Sequence, residues 1–210
     1  MLTCAVIDFE TTGLGPPGDR IIEVGAVLVQ DGAVVGTFEE LMDPGFRLPS
    51  FITGLTGITN AMLRGKPQPE AVMPRLRAFL GGHACVAHNA SFDGRFFAAE
   101  MERAGEAHER SFICSMLLSR RLLPYEPSHR LGHLAELFDI AVPDGMQAHR
   151  ALADALVTAK LWCRLMRDLQ DRLHGLTADA ALIAALCRTP KAMVPAFLAR
   201  HAADATTPPA

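Results

Sequence analysis

The opening forty residues constrain the fold most. Residues 2–7, 21–29 and 33–41 are three runs rich in valine, isoleucine and leucine, separated by glycine, proline and aspartate, which is the punctuation of strands. A chain that starts this way must build a sheet. The link Gln30-Asp31-Gly32 suits a tight hairpin, so the second and third strands are expected to be antiparallel neighbours. After a loop over 44–60, helical periodicity over 70–80, 92–104, 131–138 and 150–169 is interrupted by a short strand-like run over 84–87. Strands alternating with helices predict an α/β domain with a mixed sheet. Pro74 has no amide hydrogen to give, so it is expected to kink the helix over 70–80 or to push its start later.

From Asp171 onward the chain becomes alanine-rich, and Thr177 is the expected N-cap of a helix over 178–187. This divides the chain into a main domain over 1–170, a helical C-terminal extension over 171–202, and a tail over 203–210 expected to be disordered. The extension either docks on a partner or packs back on the domain through Leu182, Leu186 and Phe197.

Composition excludes several classes. Half the residues are hydrophobic and a fifth are charged, the profile of a folded domain and not of a disordered one. No apolar run approaches the ~20 residues that span a bilayer, and the N-terminus lacks the pattern of a secretory signal, so a cytoplasmic protein with no membrane contact is expected. Cys4, Cys85, Cys114, Cys163 and Cys187 are odd in number and scattered, without a C-x-x-C pair, and are expected as reduced, mostly buried thiols. A net charge of −3 provides no broad basic field for coating a nucleic acid. Bound divalent cations can still supply positive charge where a phosphate must sit.

Three short segments carry candidate chemistry. In Asp8-Phe9-Glu10, at the end of the first strand, side chains two apart share a face. Two carboxylates so placed repel each other unless a cation lies between them, or unless one pairs with an arginine while the other is solvated. In His88-Asn89-Ala90-Ser91-Phe92-Asp93, a strand runs into a helix. Asp93 then lies in the first helical turn, where the helix dipole favours a carboxylate whatever its function; Asn89 fits a cap and His88 a hydrogen-bonded core residue. In His149-Arg150-Ala151-Leu152-Ala153-Asp154, five steps along a continuous helix leave the histidine and aspartate ~140° apart. They can serve one site only if His149 lies in the loop entering the helix, which the turn Pro143-Asp144-Gly145 makes feasible. Each segment alone has an ordinary structural explanation. Together they place four acids and a histidine at the ends of elements in one domain.

These segments resemble the three motifs of the DnaQ-like exonuclease family, the class named for its Asp-Glu-Asp-Asp set with an added histidine: D-x-E-T-T-G at 8–13, H-N-A-x-F-D at 88–93 and H-x-A-x-x-D at 149–154. Residues 21–26 and 55–59 are similar to secondary family segments, so the resemblance covers roughly residues 1–168. It implies an RNase H-like core and a 3′→5′ exonuclease that releases nucleoside 5′-monophosphates with two divalent cations, Mg²⁺ or Mn²⁺, ~3.5–4 Å apart. On this resemblance Asp8 bridges the two cations, Glu10 and Asp154 hold the one beside the attacking water, and Asp93 supports the other, directly or through water. His149 is the general base, in keeping with the ~6.5 pKa of an ordinary imidazole; the sister subclass uses a tyrosine, and Tyr125, the one tyrosine, lies outside the motifs.

The terminal nucleotide is expected against Thr11, Thr12, Gly13 and Leu14, against Thr56, Gly57 and Ile58, and near Asn89 and Phe92. Reading sugar and phosphate in place of base edges implies little sequence preference. The resemblance favours single-stranded DNA 3′ ends as substrate, in the manner of the proofreading subunit of a bacterial replicative polymerase, with a DNA polymerase as possible partner. RNA trimming by the same fold and a non-catalytic interaction domain are the competing readings.

Overall fold

The computed structural model describes residues 3–106 and 110–204. Its sheet has five strands in the order β3-β2-β1-β4-β5: β1 Cys4–Thr11, β2 Ile21–Gln30, β3 Ala33–Leu41, β4 Ala84–Ala87 and β5 Phe112–Cys114. β1, β2 and β3 are antiparallel neighbours, whereas β4 and β5 run parallel to β1. The hairpin is as expected: Gln30 pairs with Ala33, and Asp31 and Gly32 both take positive φ, 51° and 81°, the signature of a two-residue turn whose twist matches its strands.

The sheet is covered on both faces. α3 (Pro69–Leu80) and α4 (Ala90–Arg103) cover one face, with Val72, Met73, Leu76, Phe96, Phe97 and Met101 packed on Ala5, Ile7 and Phe9 of β1. α5 (Ser115–Leu122), α6 (Leu131–Leu137) and the long α7 (Ala151–Arg172) cover the other, where Leu118, Leu134, Ala155, Ala159 and Trp162 meet Cys4 and Val6. The strict alternation along β1 thus feeds two different cores.

A short helix, α1 (Ser50–Thr56), lies where a loop was expected, a second, α2 (Asn60–Leu63), begins at the end of that loop, and β5 with α5 had no clear signal in the sequence. Pro74 does not delay α3. That helix starts earlier than anticipated, because Pro69 occupies its first turn, where a missing amide hydrogen is harmless. The C-terminal segment holds α8 (Ala180–Arg188) and α9 (Val194–Asp204). The cap of α8 is Asp179, whose carboxylate accepts from the Leu182 amide at 2.8 Å, and not Thr177. Ile183, Leu186, Val194 and Leu198 belong to the same core as α5 and α7. α9 continues to Asp204, and residues 205–210, where disorder was expected, fall outside the described residues. All five cysteines are free and buried, and burial pushes the Cys4 thiol up to about 12 and Cys187 to about 11.

Candidate active site

β1 and α7 determine where the acidic groups meet. Trp162 and Cys4 face each other at one end of the β1–α7 contact, and Asp154 faces the carboxylates of β1 at the other. Asp154 to Trp162 is eight helical steps, ~12 Å at 1.5 Å each; Cys4 to Asp8 is four strand steps, ~13 Å at ~3.3 Å each. The helix and strand therefore run in opposite directions and in register. Side chains that alternate onto the α7 face of β1 are apolar beneath the helix, then carboxylate where the helix begins.

Gly25 permits the close approach. It is the cross-strand partner of Asp8, and a Cβ there would lie 2.2 Å from the Ala151 carbonyl carbon and the Leu152 nitrogen. The start of α7 is clamped as well. Glu23, fully buried on β2, accepts 2.9 and 3.1 Å hydrogen bonds from Arg150 Nε and a third from its Nη2. It also accepts from the Ala151 amide at 2.9 Å. A neighbouring strand thus supplies the cap that Arg150, at the N-cap position, does not provide. Sequence reasoning did not single out Glu23, Gly25 or Arg150 as positioning residues; the first two lie in the segment 21–26.

His149 stands in the entering loop with φ 61°, a left-handed conformation that histidine tolerates better than most residues. The helix-angle objection is thereby removed. Its amide donates to Asp154 Oδ2 at 3.3 Å. Ligand atoms of Glu10, His149 and Asp154 all lie within 4.8 Å of one another. Asp93 arrives from the opposite face of the sheet, 2 % exposed in the first turn of α4, with hydrogen bonding from the Phe9 backbone.

The electrostatics show a site with excess negative charge. Burial, then Asp93, Glu10 and Asp154, hold the Asp8 carboxyl well above the usual range. Burial and then Asp154 push Glu10 up to about 8, opposed by Arg150. Burial raises Asp93 to about 7, and burial also raises Asp154 against the pull of His149. Mutually raised carboxylates within one recess are the donor set that hard divalent cations require, so the residues present fit such ions.

The surroundings are less uniform. The turn after β1 is tied internally: Thr11 Oγ1 donates to Gly13 O at 2.6 Å, Thr12 Oγ1 to Asp19 at 3.0 Å, and the Arg20 amide to Thr12 Oγ1 at 3.0 Å. Leu14, at its tip, is 81 % exposed. Thr56 and Ile58 are buried, with the Thr56 hydroxyl bonded to Ile52 O and the Ile58 amide, while Gly57 is exposed in a left-handed conformation. Asn89 is exposed, also left-handed, and makes no side-chain cap; Phe92 is half-buried against Phe96. His88 is a structural residue. Its ring nitrogens bond Ser115 Oγ and His129 O, at 2.9 and 2.8 Å, and burial holds its pKa down.

Comparison with known proteins agrees with this geometry. The exonuclease (RNase_T) family model matches residues 5–162. A PolC-type DNA polymerase III of Caldanaerobacter subterraneus subsp. tengcongensis is 37 % identical over 166 residues, 79 % of this chain, and one of Listeria monocytogenes is 38 % identical over 175 residues, 83 % of this chain. The chain spans 12 % of the length of each of these two relatives. Among solved structures, Exonuclease X in complex with 5′ overhanging duplex DNA is 32 % identical with a TM-score of 0.68, covering 89 % of this chain and 99 % of that one. The nuclease domain of 3′hExo bound to rAMP shares the fold, with a TM-score of 0.68 at 18 % identity over 79 % of this chain and 92 % of that one. A motif set that the fold gathers at one end of β1, in a chain matched by one family model over most of its length, leads to a single assignment: the chain belongs to the DnaQ-like exonuclease family and is an exonuclease with an RNase H-like fold.

Proposed function

We propose that the chain removes nucleotides from the 3′ end of single-stranded DNA, releasing nucleoside 5′-monophosphates, in proofreading or repair. The convergence of Asp8, Glu10, Asp93, His149 and Asp154 at one strand end carries this reading. Asp8, Glu10, Asp93 and Asp154 would hold two divalent cations, which when bound supply Lewis-acid stabilisation of the charge on the reacting phosphate. His149, exposed beside Glu10 and Asp154, takes the proton of the attacking water on a ring nitrogen while the P–O3′ bond breaks. Asp154 keeps His149 in place through the 3.3 Å bond from its amide. Leu14 offers an apolar surface to the terminal base, and Gly57 and the Thr11–Gly13 turn offer backbone to its sugar.

The PolC-type relatives support a replicative setting and a polymerase as partner. In this reading residues 1–170 form the catalytic unit and 171–202 an extension packed on it. The decisive assay compares labelled single-stranded DNA with RNA of equal length, with Mg²⁺ or Mn²⁺, for wild type and Asp8→Ala. Shortening of the DNA from its 3′ end that vanishes in the variant is expected. Degradation of RNA with DNA untouched overturns the substrate, and equal residual activity in both proteins overturns the site.

A further inference from the structure

A second concave surface lies beside the acidic recess, along α4, β5 and α5. It is a groove of about 710 Å³, within the ~300–1,000 Å³ range of ligand clefts. α4 contributes Ser91, Gly94, Arg95 and Ala98, the i, i+3, i+4, i+7 stripe of one helix face. Asp93, on a different face of the same helix, turns toward the carboxylates. The groove and the acidic recess thus share the first turn of α4, from which Ser91 faces the one and Asp93 the other.

Its composition is specific. Arg95, Arg110 and Arg120 line it, and none of the three meets a carboxylate among the described residues. Arg95 bonds Ser91 O at 3.1 Å, and Arg110 bonds His83 O at 3.1 Å, Gly81 O and the Cys85 sulfur at 3.3 Å, so among the described residues both guanidinium groups are held by neutral groups that leave their charge uncompensated. Arg120 bonds the Met116 sulfur at 3.8 Å and stands near His88 and His129, where it adds to burial in holding both imidazoles' pKa down. Three arginines that meet no carboxylate among the described residues, in one recess of a chain whose net charge is −3, suit an anionic ligand. Between them the floor is apolar, with Phe112 and Leu117. Cations at a rim over an apolar floor suit a single nucleic-acid strand, whose phosphates meet the arginines while sugars and bases cover the floor.

The placement fits a polymer. β5 is two strands from β1, ~10 Å at ~4.8 Å per strand, and Arg110, held at Gly81 and His83 before β4 begins, lies a further ~16 Å down the strands from Asp8 at ~3.3 Å per residue, so the groove leads away from the acidic recess over several phosphate steps. We propose that this groove binds the phosphodiester backbone of the substrate strand a few nucleotides upstream of the scissile end. The inference rests on the nuclease reading above, and it adds a reason for the enzyme to prefer long strands to short ones.

The test uses the full chain with Arg95→Glu/Arg120→Glu and, as a charge-keeping control, Arg95→Lys/Arg120→Lys. Hydrolysis of the p-nitrophenyl ester of thymidine 5′-monophosphate, which is too short to reach the groove, should be unchanged in both, and this also shows that the variants are folded. KM for an oligothymidylate of about twenty nucleotides should rise roughly tenfold or more in the glutamate variant and little in the lysine one. In EDTA, where no hydrolysis occurs, anisotropy of the same labelled strand should show a log Kd against log salt slope that is shallower by ~0.7 for each phosphate no longer neutralised. An unchanged KM and salt slope in the glutamate variant overturns the proposal and leaves an acidic protein segment as the groove's occupant. Wild type inactive on both substrates but losing strand affinity on substitution would instead refute the nuclease reading and retain the groove.

Discussion

His149 and the four carboxylates give the sharpest predictions. On the proposed mechanism His149→Ala removes the proton acceptor, so kcat should fall by ~10²–10³ with little change in strand affinity, measured under saturating substrate. The raised carboxylates make metal binding a proton-releasing event. With Asp93 at about 7 and Glu10 at about 8 in the metal-free protein, both are substantially protonated at pH 6. Mn²⁺ affinity should therefore tighten from pH 6 to pH 8.5, with proton release seen as a buffer-dependent heat in calorimetry. The same shifts set the sign for stability. A carboxyl whose folded-state pKa is raised contributes no penalty below its unfolded value near ~4, and it destabilises the fold progressively as pH rises toward 7 to 8. Metal-free protein should thus lose thermal stability across that window, and added Mn²⁺ should restore more of it at pH 8 than at pH 5. An Mn²⁺-induced rise in Tm that is independent of pH would contradict the charge-repulsion account.

The element that matters most is the beginning of α7, because it carries Asp154 and follows His149. Arg150→Ala leaves the fully buried Glu23 without its charged partner, with the Ala151 amide as its remaining hydrogen-bond donor. Breaking such a pair costs about 3 kcal/mol or more, roughly a 6–12 °C fall in Tm at ~2–4 °C per kcal/mol, measured by calorimetry. Gly25→Ala acts on the same contact by a different route. Its Cβ would fall 2.2 Å from backbone atoms of α7 that no side-chain rotation can clear. The helix must move away from β1, so activity should fall at least tenfold even where circular dichroism shows an intact fold, since ångström-sized displacement at a site is expensive for catalysis. Equal activity to wild type would show that α7 can shift without disturbing Asp154. Neither residue stands out in the sequence, because their importance arises from a contact between segments 127 residues apart.

For the whole molecule, the C-terminal helices are a structural part of the domain. Leu186 and Ile183 are fully buried in the core shared with α5 and α7. Leu186→Ala should destabilise the protein by ~2–5 kcal/mol in urea denaturation, and removal of residues 178–210 should do more. A truncated chain as stable as the full one would mean that this packing contributes little.

The motif residues, the hairpin and the β4 strand were legible along the chain because each is local: a spacing of two on a strand, a two-residue turn, a short apolar run. The roles inside those motifs were not. His88, expected as a hydrogen-bonded core residue, is one, but its partners Ser115 and His129 lie 27 and 41 residues away, outside its motif. β5 and α5 were missed because a three-residue strand has too few side chains to show a period, and α1 because it is one short, partly exposed helix that depends on Leu48, Ile58 and Leu63 for its packing. Spacing established that four acids and a histidine exist at element ends. Their convergence depends on the matched spans of Cys4 to Asp8 on β1 and Asp154 to Trp162 on α7 and on the missing side chain at Gly25, quantities of packing between distant segments that no local pattern records.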